Sequence, residues 1–291
     1  MTAASGLVIV DKPSGLTSHD VVARIRRLAG TRRVGHAGTL DPIATGVLVV
    51  GIEKATRLLG HLALTEKEYL ATIRLGQATD TGDAQGTVVA GAPAGELALD
   101  RVRAAAAALT GEVQQVPPAV SAIKVSGRRA YQLAREGQAP ALAPRAVTVH
   151  EFTISGPRPA GQGLLDVTAA VRCSSGTYVR ALARDLGESL GVGGHLTMLR
   201  RTRVGPYGLG QARGLDELAA GLRVIPLAEA AAAAFPVRPL TEAEAQSLSH
   251  GASLNAAGAA GPVAALAPDG TLIALVEERA GRARPLAVFV P

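Results

Sequence analysis

Twelve residues, Gly35-His36-Ala37-Gly38-Thr39-Leu40-Asp41-Pro42-Ile43-Ala44-Thr45-Gly46, run directly into the apolar stretch Val47-Leu48-Val49-Val50. The glycines and the proline make the first part a stiff loop, and the four apolar residues read as a buried strand that anchors it. The loop carries one carboxylate, Asp41, with His36 five residues upstream. Exposed loops on rigid scaffolds are where reactive side chains tend to sit. Asp and Pro are also ordinary turn residues, so Asp41-Pro42 reads equally as a plain turn. On this segment alone both readings stand open.

The rest of the chain has a mixed α+β pattern. Residues 6–10 read as a strand ending in the turn-rich Asp11-Lys12-Pro13-Ser14-Gly15, after which Ser18 can cap a helix that stops at Gly30. Residues 47–52 and 69–75 read as strands, 54–62 as a short helix and 100–109 as an alanine-rich helix. Pro117-Pro118 opens a long basic loop with a short helix expected at 129–135. Strands follow at 147–154 and 164–172, the second leading into a helix at 177–190 with Val179, Leu182, Leu186 and Leu190 on one face. Pro236 and Pro239 mark a boundary between residues 1–235 and 236–291. Short strands at 263–266, 272–276 and 286–290 make the second part a small β module.

Composition narrows the partner. The net charge is +6, carried by 26 Arg against 4 Lys. Residues 236–291 hold four Arg and five acids, so residues 1–235 carry +7. Three clusters stand out: Arg24, Arg26, Arg27, Arg32 and Arg33; Lys124, Arg128, Arg129, Arg135 and Arg145; and Arg180, Arg184, Arg200, Arg201 and Arg203. A charge run is usually a solvated face, but three in one basic region favour a polyanion, with nucleic acid first. A single cysteine, Cys173, rules out an internal disulfide, and no histidine or cysteine spacing suits a metal. No signal pattern and no apolar run of spanning length is present, so a cytoplasmic, non-membrane protein is expected.

Four further segments carry possible chemistry. Lys12 sits in a rigid turn directly after a strand, either a presented cation or part of an ordinary surface hairpin. Residues 75–86 hold Asp80 and Asp83 in a polar loop that lacks the calcium-loop pattern. Tyr69, one of only four tyrosines, is either core filling or a stacking platform for a base. Cys173-Ser174-Ser175-Gly176-Thr177-Tyr178-Val179-Arg180 joins a strand to a helix, where Arg180 meets the partial positive charge of the helix N-terminus. An arginine there points to a fixed carboxylate or phosphate partner, or is simply exposed.

These segments, in this order and spacing across about residues 6–205, resemble the bacterial tRNA pseudouridine-55 synthases of the TruB type. Asp11–Gly15, the Asp41 loop, Tyr69 with residues 75–86, residues 117–131, Cys173–Arg180 and residues 195–203 carry the resemblance. It implies a pseudouridine-synthase fold, with a central mixed, mostly antiparallel sheet flanked by helices and a small PUA-like module at the C-terminus. The implied activity is isomerisation of uridine 55 in the T-loop, with no cofactor. Asp41 would act at C1′, as nucleophile or as base, and Arg180 would aim it. Tyr69 would stack on the uracil, Tyr178 and Leu199 would line the base pocket, and Asp83 would lend polar support. His36 would fill the gap left by the flipped base. Lys124, Arg128 and Arg129 would grip the RNA from a thumb at 117–146, with Lys12 as a further contact. The implied partner is the tRNA T-arm, bound by a monomer that needs no other protein. Two rivals remain: an RNA-binding protein without catalysis, and a glycosidic-bond hydrolase using Asp41 and Asp83.

Overall fold

The structure, a computed structural model, describes residues 4–121, 123–125, 128–129, 136 and 142–290. A ten-stranded mixed sheet forms its body. The long strands are β1 (Gly6–Lys12), β2 (Thr45–Ile52), β3 (Lys67–Leu75), β4 (Gly111–Gln115), β5 (Arg145–Pro159), β6 (Leu165–Cys173) and β7 (Gly194–Val204). They lie in the order β1-β2-β7-β3-β6-β5-β4, with short pairings by Ile225–Pro226, Val34–His36 and Tyr207–Gly208. Every pairing is antiparallel except β2 with β7, which run parallel through Arg200↔Thr45 and Arg201↔Gly46.

Strand periodicity explains how the sheet is covered. On β1 and β2, Val8, Val10, Leu48 and Val50 face one core, while Leu7, Ile9, Val47 and Val49 face another. A strand buried on both faces needs a continuous apolar run, which is what residues 47–50 supply. The first core is closed by helices α1 (Ser18–Ala29), α2 (Leu99–Ala108) and α3 (Val179–Leu190), through residues such as Ile25, Val102 and Leu186. Burying Val21, Val22 and Ile25 is worth roughly 1.5–3 kcal/mol each, enough to hold a helix that would be marginal alone. The second core takes in Ala230 and Ala231 of the helix Leu227–Ala234, together with Leu272, Leu275 and Phe289 from the C-terminal part.

That C-terminal part is a five-stranded sheet in the order Val237–Pro239, Pro262–Leu266, Leu272–Arg279, Arg282–Val288, Leu254–Asn255. It holds a helix, Glu242–Ser249, that hydropathy did not reveal, started by a capping box between Thr241 and Glu244. Other expectations need correction. Thr17, not Ser18, caps α1, through a capping box with Asp20, because Ser18 turns inward to another partner. The expected helix at 54–62 is a 3-10 turn, Glu53–Arg57, followed by Leu59–Leu62. Arg128–Arg129 pairs as a strand with Lys124–Val125, so no helix starts at Arg129, and 130–135 lie outside the described residues. Strands β4 and β7 were not foreseen. Among the described residues no helix is long and apolar enough to cross a membrane.

Candidate active site

The loop before β2 is held by its neighbours' backbone geometry. Gly46 has φ +98, and a Cβ there would stand 2.2 Å from the Arg201 carbonyl oxygen on β7. Only glycine allows that approach, so it fixes where the loop joins the sheet. The Ala44 N–H donates to the Asp41 carbonyl at 3.0 Å, closing a turn. The Gly15 N–H reaches the Pro42 carbonyl at 2.8 Å. Ser18 Oγ accepts from the Leu40 N–H at 2.8 Å and donates to the Leu40 carbonyl at 3.1 Å, bolting α1 to the residue before Asp41. Asp41 is thus a turn residue and a presented carboxylate at once.

Arg180, 4% exposed, meets that carboxylate from the first turn of α3. Its Nε donates to Asp41 Oδ2 at 2.9 Å and its Nη2 to Asp41 Oδ1 at 3.2 Å, a two-point hold. Nη1 and Nη2 also donate to the carbonyls of Thr81 and Val120, each at 2.8 Å. Asp83 lies behind, 3.8 Å from Arg180 Nε, with Oδ1 accepting from Thr81 Oγ1 and the Gln85 N–H. Two carboxylates and two carbonyls therefore answer the charge that the helix N-terminus disfavours. Asp41 keeps a third of its side chain exposed (34%), whereas Asp83 is buried.

Asp41 and Arg180 open on a cleft of ≈ 240 Å³ walled by Tyr69, Tyr178, Leu199, Lys67 and Arg201 among others. Tyr69 and Leu199 come from adjacent strands, β3 and β7, and Tyr69 faces Arg201 directly across the pairing. Burial pushes the Tyr69 hydroxyl above its usual range, and the Arg201 guanidinium beside it acts the other way. Burial likewise raises Tyr178. Tyr178 is placed by Gln115 on β4: its N–H donates to Gln115 Oε1 at 2.8 Å, and Gln115 Nε2 donates back to its carbonyl at 3.2 Å.

His36 stands beside this cleft, not among the residues that wall it, with its ring 5.6 Å from that of His19 in an edge-to-face arrangement. Burial first, then His19 and Arg201, lowers it to about 4, so the ring is neutral near pH 7. Its buried Nδ1 has no hydrogen-bond partner among the described residues.

Lys12 is a correction. It is fully buried, and Nζ donates to the carbonyls of Pro13 at 2.9 Å, Leu16 at 2.7 Å and Pro42 at 3.4 Å. Its ammonium lies among two carbonyls of its own turn and one of the Asp41 loop, and does not reach solvent. The third basic cluster is corrected for a related reason. Arg180 and Arg201 are buried, Arg200 pairs with Asp11, Arg203 with Glu68 and Arg184 with Asp185. The hydrolase pairing also loses its geometry, since Asp83 does not line the cleft. The side chains of Lys124, Arg128 and Arg129 lie outside the described residues.

Sequence reasoning missed Gln115, Lys67 and the placement of Arg201. For Lys67 a signal existed: on β3 it shares the buried face with Tyr69, Ala71, Ile73 and Leu75 at strict period two. For Gln115 none did, because its function depends on β4 lying against the start of α3.

The fold is that of the pseudouridine synthases: a solved chain from a Cbf5-Nop10-Gar1 complex is similar over 98% of this chain and 85% of that one, at TM-score 0.75 and 26% identity. Profiles described as TruB family pseudouridylate synthase (N terminal domain), tRNA pseudouridylate synthase B C-terminal domain, and tRNA Pseudouridine synthase II, C terminal match residues 26–179, 180–229 and 235–290. The tRNA pseudouridine synthase B of Thermobifida fusca (strain YX) is 62% identical over 290 residues, covering 98% of this chain and 99% of that protein. That of Arthrobacter sp. (strain FB24) is 58% identical over 297 residues, covering 99% and 97%. The chain belongs to the TruB family of pseudouridylate synthases.

Proposed function

We propose that this enzyme converts uridine 55 in the T-loop of tRNA to pseudouridine, with Asp41 as the essential carboxylate. The observation that carries the reading is the two-point hold of Arg180 on a part-exposed Asp41 at the edge of a cleft walled by Tyr69, Tyr178 and Leu199. The target base must first leave its stack, at a cost of a few kcal/mol. The neutral His36 ring takes its place, and Tyr69 stacks on the extruded uracil. Asp41 then acts at the sugar, as nucleophile at C1′ or as base beside it, aimed by Arg180 with Asp83 behind. The base turns over between Tyr69 and Leu199 and rejoins through C5. One bond to C1′ is exchanged for another, so the reaction balances with no cofactor.

The same reading assigns residues 1–235 to catalysis, with 117–146 as an RNA-gripping thumb using Lys124, Arg128 and Arg129. It assigns 236–291 to a PUA-like RNA-binding module. The protein works as a monomer in the cytoplasm, needing tRNA and no obligatory protein partner. The supporting facts are the exposed arginines of α1 and the buried, inert Cys173, whose thiol burial pushes up to about 11.

The test is a T-arm stem-loop RNA incubated with wild-type protein and with Asp41→Ala. Wild type is expected to form pseudouridine at unchanged RNA mass, and the variant to form none while still binding the RNA. Full activity of Asp41→Ala, or release of free uracil by wild type, would refute the proposal.

A further inference from the structure

Two buried cations in the wall of the cleft have no carboxylate partner among the described residues. Lys67 is 6% exposed and Arg201 is 1% exposed. Arg201 donates from Nε to the Val47 carbonyl at 2.8 Å, from Nη1 to Thr39 at 3.3 Å and from Nη2 to Gly38 at 3.0 Å. Lys67 Nζ donates to the Ala63 carbonyl at 2.9 Å and the Thr65 carbonyl at 2.8 Å, and its third N–H finds no acceptor among the described residues. Cys173, opposite Lys67 across the β3–β6 pairing, is no counter-ion, because its thiol is neutral near pH 7. Burial, with Arg201 adding to it, lowers Lys67 to about 8, so the amine is still mostly charged at that pH.

A buried charge is costly unless an opposite charge meets it. Arg180 meets two carboxylates, but among the described residues Lys67 and Arg201 meet only neutral groups, backbone carbonyls and the Tyr69 hydroxyl beside Arg201. Their excess positive charge borders a cleft, so the compensating anion can come from whatever enters. A uridine base is neutral on arrival. A backbone phosphate is a poorer match, because both cations flank Tyr69 and Leu199, the walls between which the base would lie.

We propose that Lys67 and Arg201 form an anion pocket for the uracil in its detached state, with Lys67 donating its third N–H to a ring oxygen. The inference rests on the uridine-isomerase reading of this site. When the N1–C1′ bond breaks, its electron pair leaves with the base, which becomes an anion delocalised over N1, O2 and O4. The sugar is balanced either by a new bond from an Asp41 oxygen to C1′ or by loss of a sugar proton to Asp41. C5 then forms the bond to C1′ as the Asp41–C1′ bond breaks, or as Asp41 returns its proton to the sugar; C5 loses its own proton and N1 gains one. The two cations hold the charge that exists only between those events, which is where fixed positive charge speeds a reaction.

The test pairs Lys67→Met with two RNAs of the same sequence, one carrying uridine and one 5-fluorouridine at the target. Removing a preorganised charge from a developing anion costs about 10²–10³-fold in rate, so the single-turnover rate on uridine RNA should fall by that order with RNA affinity unchanged. Fluorine makes the base a better leaving group, so the defect, read as loss of the N1–C1′ linkage after nuclease digestion, should shrink on 5-fluorouridine RNA. Equal defects on both RNAs would overturn the proposal. A second arm needs only wild type and covers a Lys67→Met that does not fold. Free 5-nitrouracil, an anion at neutral pH, should compete for the cleft better than neutral uracil, and equal competition would overturn the proposal. Absence of any pseudouridine from wild type would instead refute the assigned reaction, while the nitrouracil arm still reads the anion pocket.

Discussion

Arg180→Lys is the perturbation whose size follows most directly from the geometry. The guanidinium makes four hydrogen bonds of 2.8–3.2 Å, two to Asp41 and one each to the Thr81 and Val120 carbonyls, from three different nitrogens. An ammonium offers its donors from one point and cannot span these partners. At least one carbonyl and one half of the Asp41 hold are lost. An enclosed acceptor left without a donor costs about 1–3 kcal/mol, and a charge-assisted bond contributes about 1.5–3 kcal/mol. Asp41 is 34% exposed, so water replaces part of the second figure. The expected destabilisation is therefore about 2–4 kcal/mol, read as a lower urea midpoint at unchanged slope. The rate should fall further than stability suggests, because a carboxylate displaced by about 1 Å can cost on the order of 10²-fold. RNA affinity should not change, since Arg180 is almost wholly enclosed. Single-turnover assays and RNA binding separate the two effects. A variant that keeps the wild-type rate would refute the aiming function, and one that loses affinity in step with rate would mean that Arg180 meets the RNA.

Lys12 titrates near pH 8 in the folded chain against 10.5 when free, because burial outweighs the attraction of Asp41. Between those values the unfolded chain binds more protons, so stability should rise with pH, by at most ~1.4 kcal/mol per unit from this residue. Lys12→Met should remove that component of the slope, checked by urea melts across pH 8 to 10. His36 is lowered from 6.5 to about 4, so its contribution is lost as pH falls through that window. His36→Phe should lose stability less steeply than wild type between those pH values; parallel curves would mean that the imidazole is exposed to solvent.

Much of this architecture could be read before any coordinates, for reasons that differ by element. The β2 run was legible because both of its faces are buried, which leaves an uninterrupted apolar signature. That Arg180 calls for an anionic partner was legible because an arginine in the first turn of a helix is unfavourable without one, while Asp41 as that partner came from the family resemblance and not from the helix. Strand β7 was not legible. Arg200, Arg201 and Arg203 interrupt its hydropathy, and what makes Arg201 an interior residue is three carbonyls from the Asp41 loop and β2, more than 150 positions upstream. Lys12 was misread because the Pro42 carbonyl, 30 positions on, and the Asp41 loop that carries it cover a turn that sequence alone places at the surface. Charge counting registers cations, but it does not reveal that Arg200 finds Asp11 across 189 positions.

The basic excess therefore divides into two populations with different work. Arg24, Arg27 and Arg32 on and just after α1 are exposed and remain available to a polyanion. Lys12, Lys67, Arg180 and Arg201 are interior. Lys12 and Arg201 hold the carbonyls of residues 38, 39 and 42 and so fix the loop on either side of Asp41. That arrangement lets the loop be a turn and present a carboxylate together. The turn is stiff because cations clamp its backbone, and the same clamping leaves positive charge facing the cleft. A carboxylate held this way needs no rearrangement when the substrate arrives, and loosening the clamp at Arg201 should damage the rate before it damages RNA binding.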